Sequence, residues 1–133
     1  MQKPFIMIRD DKNLTLMRLF MLGCQGDGKT EETRGRNVFK RLVGQRVGMV
    51  FLVGSHRYYA GDCTIGKPVF YKDRREFLHG WQRHRILPDS EWMKDKAVGY
   101  PLENIKWLPC MKEAPVRLKG NRSFYIAEIS EGE

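Results

Sequence analysis

Residues 45–65 read QRVGMVFLVGSHRYYAGDCTI and carry the clearest structural signal in the chain. The run 45–53 is apolar and β-branched, which predicts a buried strand. Gly54 and Ser55 form a turn signal, and the run 57–65 returns as a second strand, rich in tyrosine and then alternating. The stretch therefore predicts two consecutive strands joined by a tight turn.

Shorter elements are predicted on either side of these strands. Pro4–Ile8 is expected to form a first strand and Ser123–Ile129 a final one. Asp10 or Asp11 is placed to cap a helix that runs to about Leu22, although the apolar run before Leu22 also suits a strand. These patterns leave the second element open between helix and strand.

Glycines and prolines punctuate the rest of the chain. Gly23, Gly26 and Gly28 predict a loop, and Asn37–Leu42 a single helical turn. Asp73–Arg83 predicts a helix, with Phe77, Leu78 and Trp81 facing inward. The chain after this helix is expected to be broken into short pieces by Pro88, Pro101, Pro109 and Pro115. Many short strands with few helices predict an α+β fold, a small β-barrel with packed helices.

Length and composition limit the class of protein. The 133 residues suit a single domain, 1–133, and no stretch approaches the 18 apolar residues of a membrane span. The N-terminus carries acids and bases by residue 12, unlike a signal peptide. Cys24, Cys63 and Cys110 are odd in number and lack CxxC spacing, so buried thiols in a reducing cytoplasm are expected. We expect a cytoplasmic protein without a metal, a cofactor or a membrane partner.

The charge balance points to polyanionic partners. Lys and Arg total 24 against 16 acids, which gives a net charge of +8. The excess of basic residues lies in three segments, 29–46, 67–85 and 106–122. The sequence leaves open whether these segments form one basic surface or three separate ones. Nucleic acid is the first partner that such a balance suggests, and a merely basic soluble protein is the alternative.

The densest polar cluster is Gly26-Asp27-Gly28-Lys29-Thr30-Glu31-Glu32-Thr33-Arg34. In an extended segment Glu32 and Arg34 share a face, because side chains alternate with a period of two. Arg34 can bind a phosphate or carboxylate, and Glu32 can accept a hydrogen bond or shuttle a proton. A desolvated Lys29 would have a lowered pKa and act as a base or nucleophile. Surface salt bridges are the alternative interpretation.

This stretch resembles the G-x-K-x-x-E-x-R signature of the ASCH family, a branch of the PUA-like superfamily. Other segments resemble that family in the same order along the chain. They are Ile6-Met7-Ile8-Arg9, Gly44-Gln45-Arg46-Val47, Ala60–Gly66, Gly99–Asn104, and Lys119-Gly120 with Phe124-Tyr125-Ile126. The chain departs from the family pattern at Asp27, which stands in place of the usual glycine, and at Tyr100, in place of a late tryptophan.

The resemblance implies a PUA-like β-barrel whose cleft binds RNA, single-stranded nucleic acid or a nucleotide. Lys29, Glu32 and Arg34 would then contact the ligand and Tyr100 would stack on it. Gly28 would line the site, and phosphates would be drawn in by Arg36, Arg46, Lys119 and Arg122. The oligomeric state stays open.

Two other functions remain open at this stage. Some small family members look like hydrolases. One group removes the acetyl group of N4-acetylcytidine and has a threonine at the place of Glu32 here, and another resembles ribonucleases. In such an enzyme Lys29, Glu32 and Arg34 would be catalytic, with Glu32 as base toward a water polarised by Lys29. The third possibility is a protein-interaction module of a larger system.

His84 is expected at the surface.

Overall fold

A computed structural model of the chain describes residues 1–90 and 95–129. Within these ranges the fold is mixed α+β, with eight strands and a few short helices. The strands are β1 (Gln2–Asp10), β2 (Glu31–Arg34), β3 (Arg46–Val53), β4 (His56–Ile65), β5 (Val69–Tyr71), β6 (Ala97–Glu113), β7 (Lys119–Gly120) and β8 (Phe124–Glu128). The helices are α1 (Thr15–Gly23), α2 (Arg74–His79) and α3 (Trp81–His84), with a 3-10 turn at Lys40–Leu42. No helix in the described ranges is both long and apolar enough to cross a membrane.

The strands form one curled sheet, a half-barrel, in the order β2-β6-β4-β3-β1-β8-β7, with β5 beside β6. The β1 and β3 strands run parallel, and the other pairs are antiparallel. One core lies on the α1 side of the sheet, where Met17 and Phe20 pack against Ile6 and Ile8. A smaller core on the other face surrounds Phe5.

The two strands predicted from residues 45–65 are confirmed as β3 and β4. They pair from Arg46 with Thr64 to Val53 with His56, with an irregularity between Met49 and Val50. The buried character expected of β3 is also confirmed, because residues 47–51 are all buried. This hairpin lies in the middle of the strand order and supports the rest of the sheet.

The helix alternative for the second element is confirmed, and both predicted caps contribute. Asp11 accepts the amide hydrogen of Thr15 at 3.1 Å, and Asp10 those of Leu16 and Met17 at 2.9 and 3.0 Å. These carboxylates satisfy amides of the first turn that have no partner within the helix. The strand alternative is wrong.

The prediction that prolines break the later chain is wrong for Pro101 and Pro109. Both lie inside β6, a strand of 17 residues. The carbonyl oxygen of Pro101 is hydrogen-bonded, because it accepts the amide hydrogen of Gly66 at 2.8 Å. Pro109 falls where the register of β4 and β6 shifts, between the pairs of Trp107 and Lys112. A missing N–H is tolerated at such an irregularity.

The helix predicted over Asp73–Arg83 is divided at Gly80 into α2 and α3. Phe77 is buried as expected, whereas Trp81 is 38% exposed and lies under the Arg85 guanidinium at 4.5 Å. His84, expected at the surface, is fully buried. The division turns the second helix, so the inward-facing side chain of α3 is His84 instead of Trp81.

The expectation of buried thiols holds for Cys63 alone. Cys24 and Cys110 are exposed. Cys24 follows the last turn of α1, and Cys110 lies in the exposed second half of β6.

Candidate functional site

The principal site is a cleft of about 610 Å³ at the open edge of the half-barrel, here called the Lys29 cleft. The pairing of β1 with β8 ends at Ile6, so the rest of β1 borders the cleft on that side. On the opposite side lies β2, which is the first strand in the order of the sheet. The cleft is lined by Met7, Arg9, Asp10, Asp11, Thr15, Leu16, Lys29, Glu32, Thr33, Arg34, Leu52, Ile86, Arg122 and Ser123.

Lys29 is 2% exposed and is held from both ends. Its amide donates to Leu19 O at 2.8 Å, and its Nζ donates to His84 O at 2.6 Å. The Nζ also lies 5.4 Å from the centroid of the Phe20 ring. Burial lowers the pKa of Lys29, against the opposing effect of Glu32 and Glu31. Lys29 is therefore desolvated and has a lowered pKa, as the sequence analysis considered.

Gly28 positions Lys29 from behind and does not line the cleft. A Cβ at Gly28 would lie 2.3 Å from Leu19 O and 2.4 Å from Gly23 N. Only a residue without a side chain lets the loop lie this close to α1. The predicted ligand contact at Gly28 is thus replaced by a packing role.

Glu32 and Arg34 share one face of β2, as the sequence predicts. Arg34 Nη2 donates to Glu32 Oε2 at 2.9 Å and also to the backbone oxygen of Met7. The guanidinium lies 4.9 Å from the centroid of the Phe39 ring. Glu32 is buried and the Arg34 side chain is 19% exposed, so this pair is partly buried and is not a surface salt bridge. The cleft wall therefore presents a buried carboxylate that a partly buried arginine holds in place.

The backbone oxygen that accepts the hydrogen bond of Lys29 Nζ belongs to His84, whose own hydrogen bonds define its tautomer. His84 Nδ1 accepts the amide hydrogen of Ile86 at 2.9 Å, so Nε2 carries the ring proton. That proton is donated to Phe77 O, 2.6 Å away. Burial lowers the pKa of His84, and the charges of Lys29 and Arg83 lower it further. A neutral His84, with a hydrogen bond at each ring nitrogen, holds the end of α3 against Lys29.

Buried Glu31 lies in a second cluster of polar side chains, on the other face of β2, which the sequence reasoning missed. Its carboxylate is fully buried and accepts hydrogen bonds from Tyr71 Oη and, at 3.3 Å, from Arg83 Nε. Burial and the bond to Glu31 raise the pKa of Tyr71 to about 12. The period-two alternation of Glu31 and Glu32 is the signal that could have indicated this split. The cluster ties α3 to β2 and so supports Lys29.

Exposed arginines border the Lys29 cleft. Arg9 enters from β1 and Arg122 from the loop before β8, and both side chains face solvent. Asp10 and Asp11 also line the cleft, but their carboxylates accept amide hydrogens of α1 and its preceding turn. The rim therefore offers free guanidinium groups beside carboxylates that are already engaged. Arg9 was not among the predicted site residues.

Tyr100 does not fit its predicted role of stacking on a ligand. It is fully buried, with its ring 4.9 Å from that of Phe39, and its hydroxyl donates to Asn37 Oδ1. Burial raises the pKa of this hydroxyl. Both ring faces lie in the core, which leaves no face for a base.

Three other predicted phosphate contacts lie away from the cleft. Arg46 opens β3, at the opposite end from Leu52, and donates to the backbone oxygens of Asn104 and Asp62. Arg36 and Lys119 are exposed and do not line the cleft. The cleft brings together Lys29, Glu32, Arg34 and Arg122, so the first and third basic segments meet there and the second does not.

The arrangement suits an anionic or polar planar ligand. Buried donors and one carboxylate lie at the bottom, and exposed guanidinium groups at the rim can form forked hydrogen bonds with phosphate. Across residues 1–90 and 95–129, no cluster of three or more His, Cys, Asp or Glu is placed to hold a metal ion.

No protein-family model matches the chain, and no curated protein matches it either. The resemblance to the ASCH family therefore rests on the sequence motifs.

Proposed function

We propose that this protein is a PUA-like, ASCH-type domain that binds RNA or a nucleotide in the Lys29 cleft. The observation that carries the proposal is a single cleft of about 610 Å³. In it, buried Lys29 and Glu32 and partly buried Arg34 meet exposed Arg9 and Arg122. These residues come from segments far apart in the chain. A mixed α+β half-barrel supports the same assignment.

The chemistry of a nucleotide matches the two levels of the cleft. A base edge presents donors and acceptors that Glu32 and the buried cations can meet, as in single-stranded recognition. A phosphate matches the guanidinium groups of Arg9 and Arg122 at the rim. The volume also falls in the range of small-molecule sites.

A second function, hydrolysis of an acylated nucleoside, is favoured by one observation. The lowered pKa of Lys29 beside the Glu32 carboxylate is typical of acid–base machinery. In this reaction Glu32 takes a proton from the attacking water, and Lys29 and Arg34 stabilise the oxyanion on the acyl carbon. The bond between the acyl carbon and the amine nitrogen then breaks, and Glu32 returns the proton to that leaving nitrogen.

The test is a titration of uridine monophosphate and single-stranded RNA at several salt concentrations. We expect log K to fall linearly with log salt, by about 0.7 for each phosphate neutralised. Arg122→Gln should weaken binding and reduce this slope. Arg75→Gln is the matched control, because Arg75 is exposed and lies outside the cleft.

Binding that is absent or insensitive to salt would contradict the proposal. The same samples, incubated with N4-acetylcytidine and analysed by mass spectrometry, separate the two functions. Product formed by the wild type and lost in a folded Lys29→Ala variant would establish the hydrolase.

A further inference from the structure

A row of side chains leads out of the Lys29 cleft across the sheet. Arg9 pairs with Leu52, and Leu52 pairs with Arg57, on the adjacent strands β1, β3 and β4. Residues paired in register point to the same face of a sheet. Arg9 and Arg57 therefore lie on one face with an apolar residue between them, and both are exposed.

Arg117 joins this row from the loop that follows β6. Its Nη2 lies 3.8 Å from Met7 Sδ, and its guanidinium carbon lies 5.6 Å from the centroid of the Tyr125 ring. Met7 lines the Lys29 cleft. Arg117 is thus held at the border of the cleft by an aromatic ring and a thioether, and its side chain remains exposed.

A second cavity, here called the Arg57 cavity, begins where this row ends. It has a volume of about 770 Å³ and is lined by both Arg57 and Arg117. Besides the two arginines, its lining includes one carboxylate, that of Glu113. The other lining residues are Ser55, His56, Tyr58, Ala114, Pro115 and Val116. The Lys29 cleft and the Arg57 cavity are therefore connected by arginines on one face of the sheet.

We propose that the ligand is a single-stranded nucleic-acid chain several nucleotides long, which lies across Arg9, Arg117 and Arg57 into the Arg57 cavity. The inference rests on the proposed function and names its substrate class. One nucleotide occupies the Lys29 cleft, and the phosphates of the following nucleotides contact the row. Strands lie about 4.8 Å apart, so the row from β1 to β4 spans about 10 Å between backbones.

The burial of the cleft explains why the chain is single-stranded. Lys29 and Glu32 are 2% and 7% exposed, so only an unpaired base can bring its edge to them. The row itself offers exposed guanidinium groups beside the apolar Leu52, and such groups are typical of sequence-independent contacts to the nucleic-acid backbone.

The experiment compares uridine monophosphate with an oligouridylate of about 8 nucleotides, a length within the range of single-strand sites. We expect the oligouridylate to bind at least about tenfold more tightly. The double variant Arg57→Gln/Arg117→Gln should remove most of this gain and lower the salt slope by about 1.4, because two phosphate contacts are lost. Binding of the monophosphate should change by less than about twofold.

Lys67→Gln/Arg75→Gln is the matched control, because it removes the same charge from exposed residues that line neither cavity. An equal loss in this control would reduce the effect to net charge and overturn the inference. Equal affinity for the two ligands would also overturn it and leave the proposed function standing. Failure of both ligands to bind would remove the proposed function itself, and tighter binding of a duplex would overturn the single-strand assignment.

Discussion

At the scale of single residues, the central feature is an ammonium group that the fold removes from water. Lys29 is almost fully buried and keeps a direct hydrogen bond to His84 O. Burial costs the charged form more than the neutral form, which is why the pKa of Lys29 falls. In the two proposed functions, Lys29 in this environment would bind an anion or take part in acid–base chemistry.

The lowered pKa of Lys29 predicts how stability depends on pH. Between its folded pKa and its ordinary value of 10.5, the unfolded chain binds more protons at this site, so stability rises with pH. The unfolding free energy of the wild type, relative to Lys29→Met, should therefore increase as the pH is raised toward 10.5. Urea denaturation of both proteins at several pH values measures this difference.

Exposed Lys40→Met is the control for this comparison, because its ammonium group stays in water. If the difference in unfolding free energy between the wild type and Lys29→Met stays constant with pH, burial does not lower the pKa of Lys29. Groups that titrate in both proteins cancel in the difference.

At the scale of secondary-structure elements, Gly99 joins three strands. It pairs with Thr33 of β2 and with Val69 of β5, and a Cβ there would lie 1.8 Å from Glu31 Oε1. The absence of a side chain at Gly99 creates the space for the Glu31 carboxylate. That carboxylate in turn ties α3 to β2 through Arg83.

Gly99→Ala should destabilise the protein by about 1–3 kcal/mol, because the methyl group must displace a buried, hydrogen-bonded carboxylate. Thermal or urea denaturation measures the loss. Gly35→Ala is the control, since a Cβ at Gly35 meets nothing within 4 Å. Equal stability of the two variants would show that Glu31 moves aside at little cost.

The elements themselves were predictable wherever local pattern dominates. The hairpin of β3 and β4 follows from apolar runs around a Gly-Ser turn. For the second element the pattern left a capped helix and a strand as alternatives, and the structure has the helix α1, with amides of its first turn bonded to Asp10 and Asp11. The continuity of β6 through Pro101 and Pro109 was not predictable, because neighbouring strands decide where a missing N–H does no harm. Gly80 similarly divides one predicted helix into two.

At the scale of the whole molecule, Arg34 links the two sides of the opening in the curled sheet. It belongs to β2, at one end of the strand order, and donates to Met7 O of β1, four places along that order. Its bond to Glu32 and its position over Phe39 hold the guanidinium in this bridge. The Lys29 cleft exists because the strands approach here without pairing.

Arg34→Lys should loosen this closure, although it keeps the charge, because an ammonium group lacks the planar fork that serves two acceptors. We expect a loss of stability of about 1–3 kcal/mol and faster hydrogen exchange at the β1 amides that border the cleft. Arg36→Lys, at an exposed neighbouring arginine, is the control. Unchanged exchange in β1 would show that the sheet keeps its curvature without Arg34.

Local patterns along the chain were enough to predict the β3–β4 hairpin, the strands near residues 4–8 and 123–129, and the shared face of Glu32 and Arg34. These features depend on backbone periodicity and on contacts within a few residues. The solvation of Lys29, the burial of Tyr100 and the exposure of Trp81 depend on distant segments. His84, for example, lies 55 residues from the lysine that it contacts. Because burial and charge pairing are set by such long-range contacts, the chemistry of the cleft emerged only when the chain was folded.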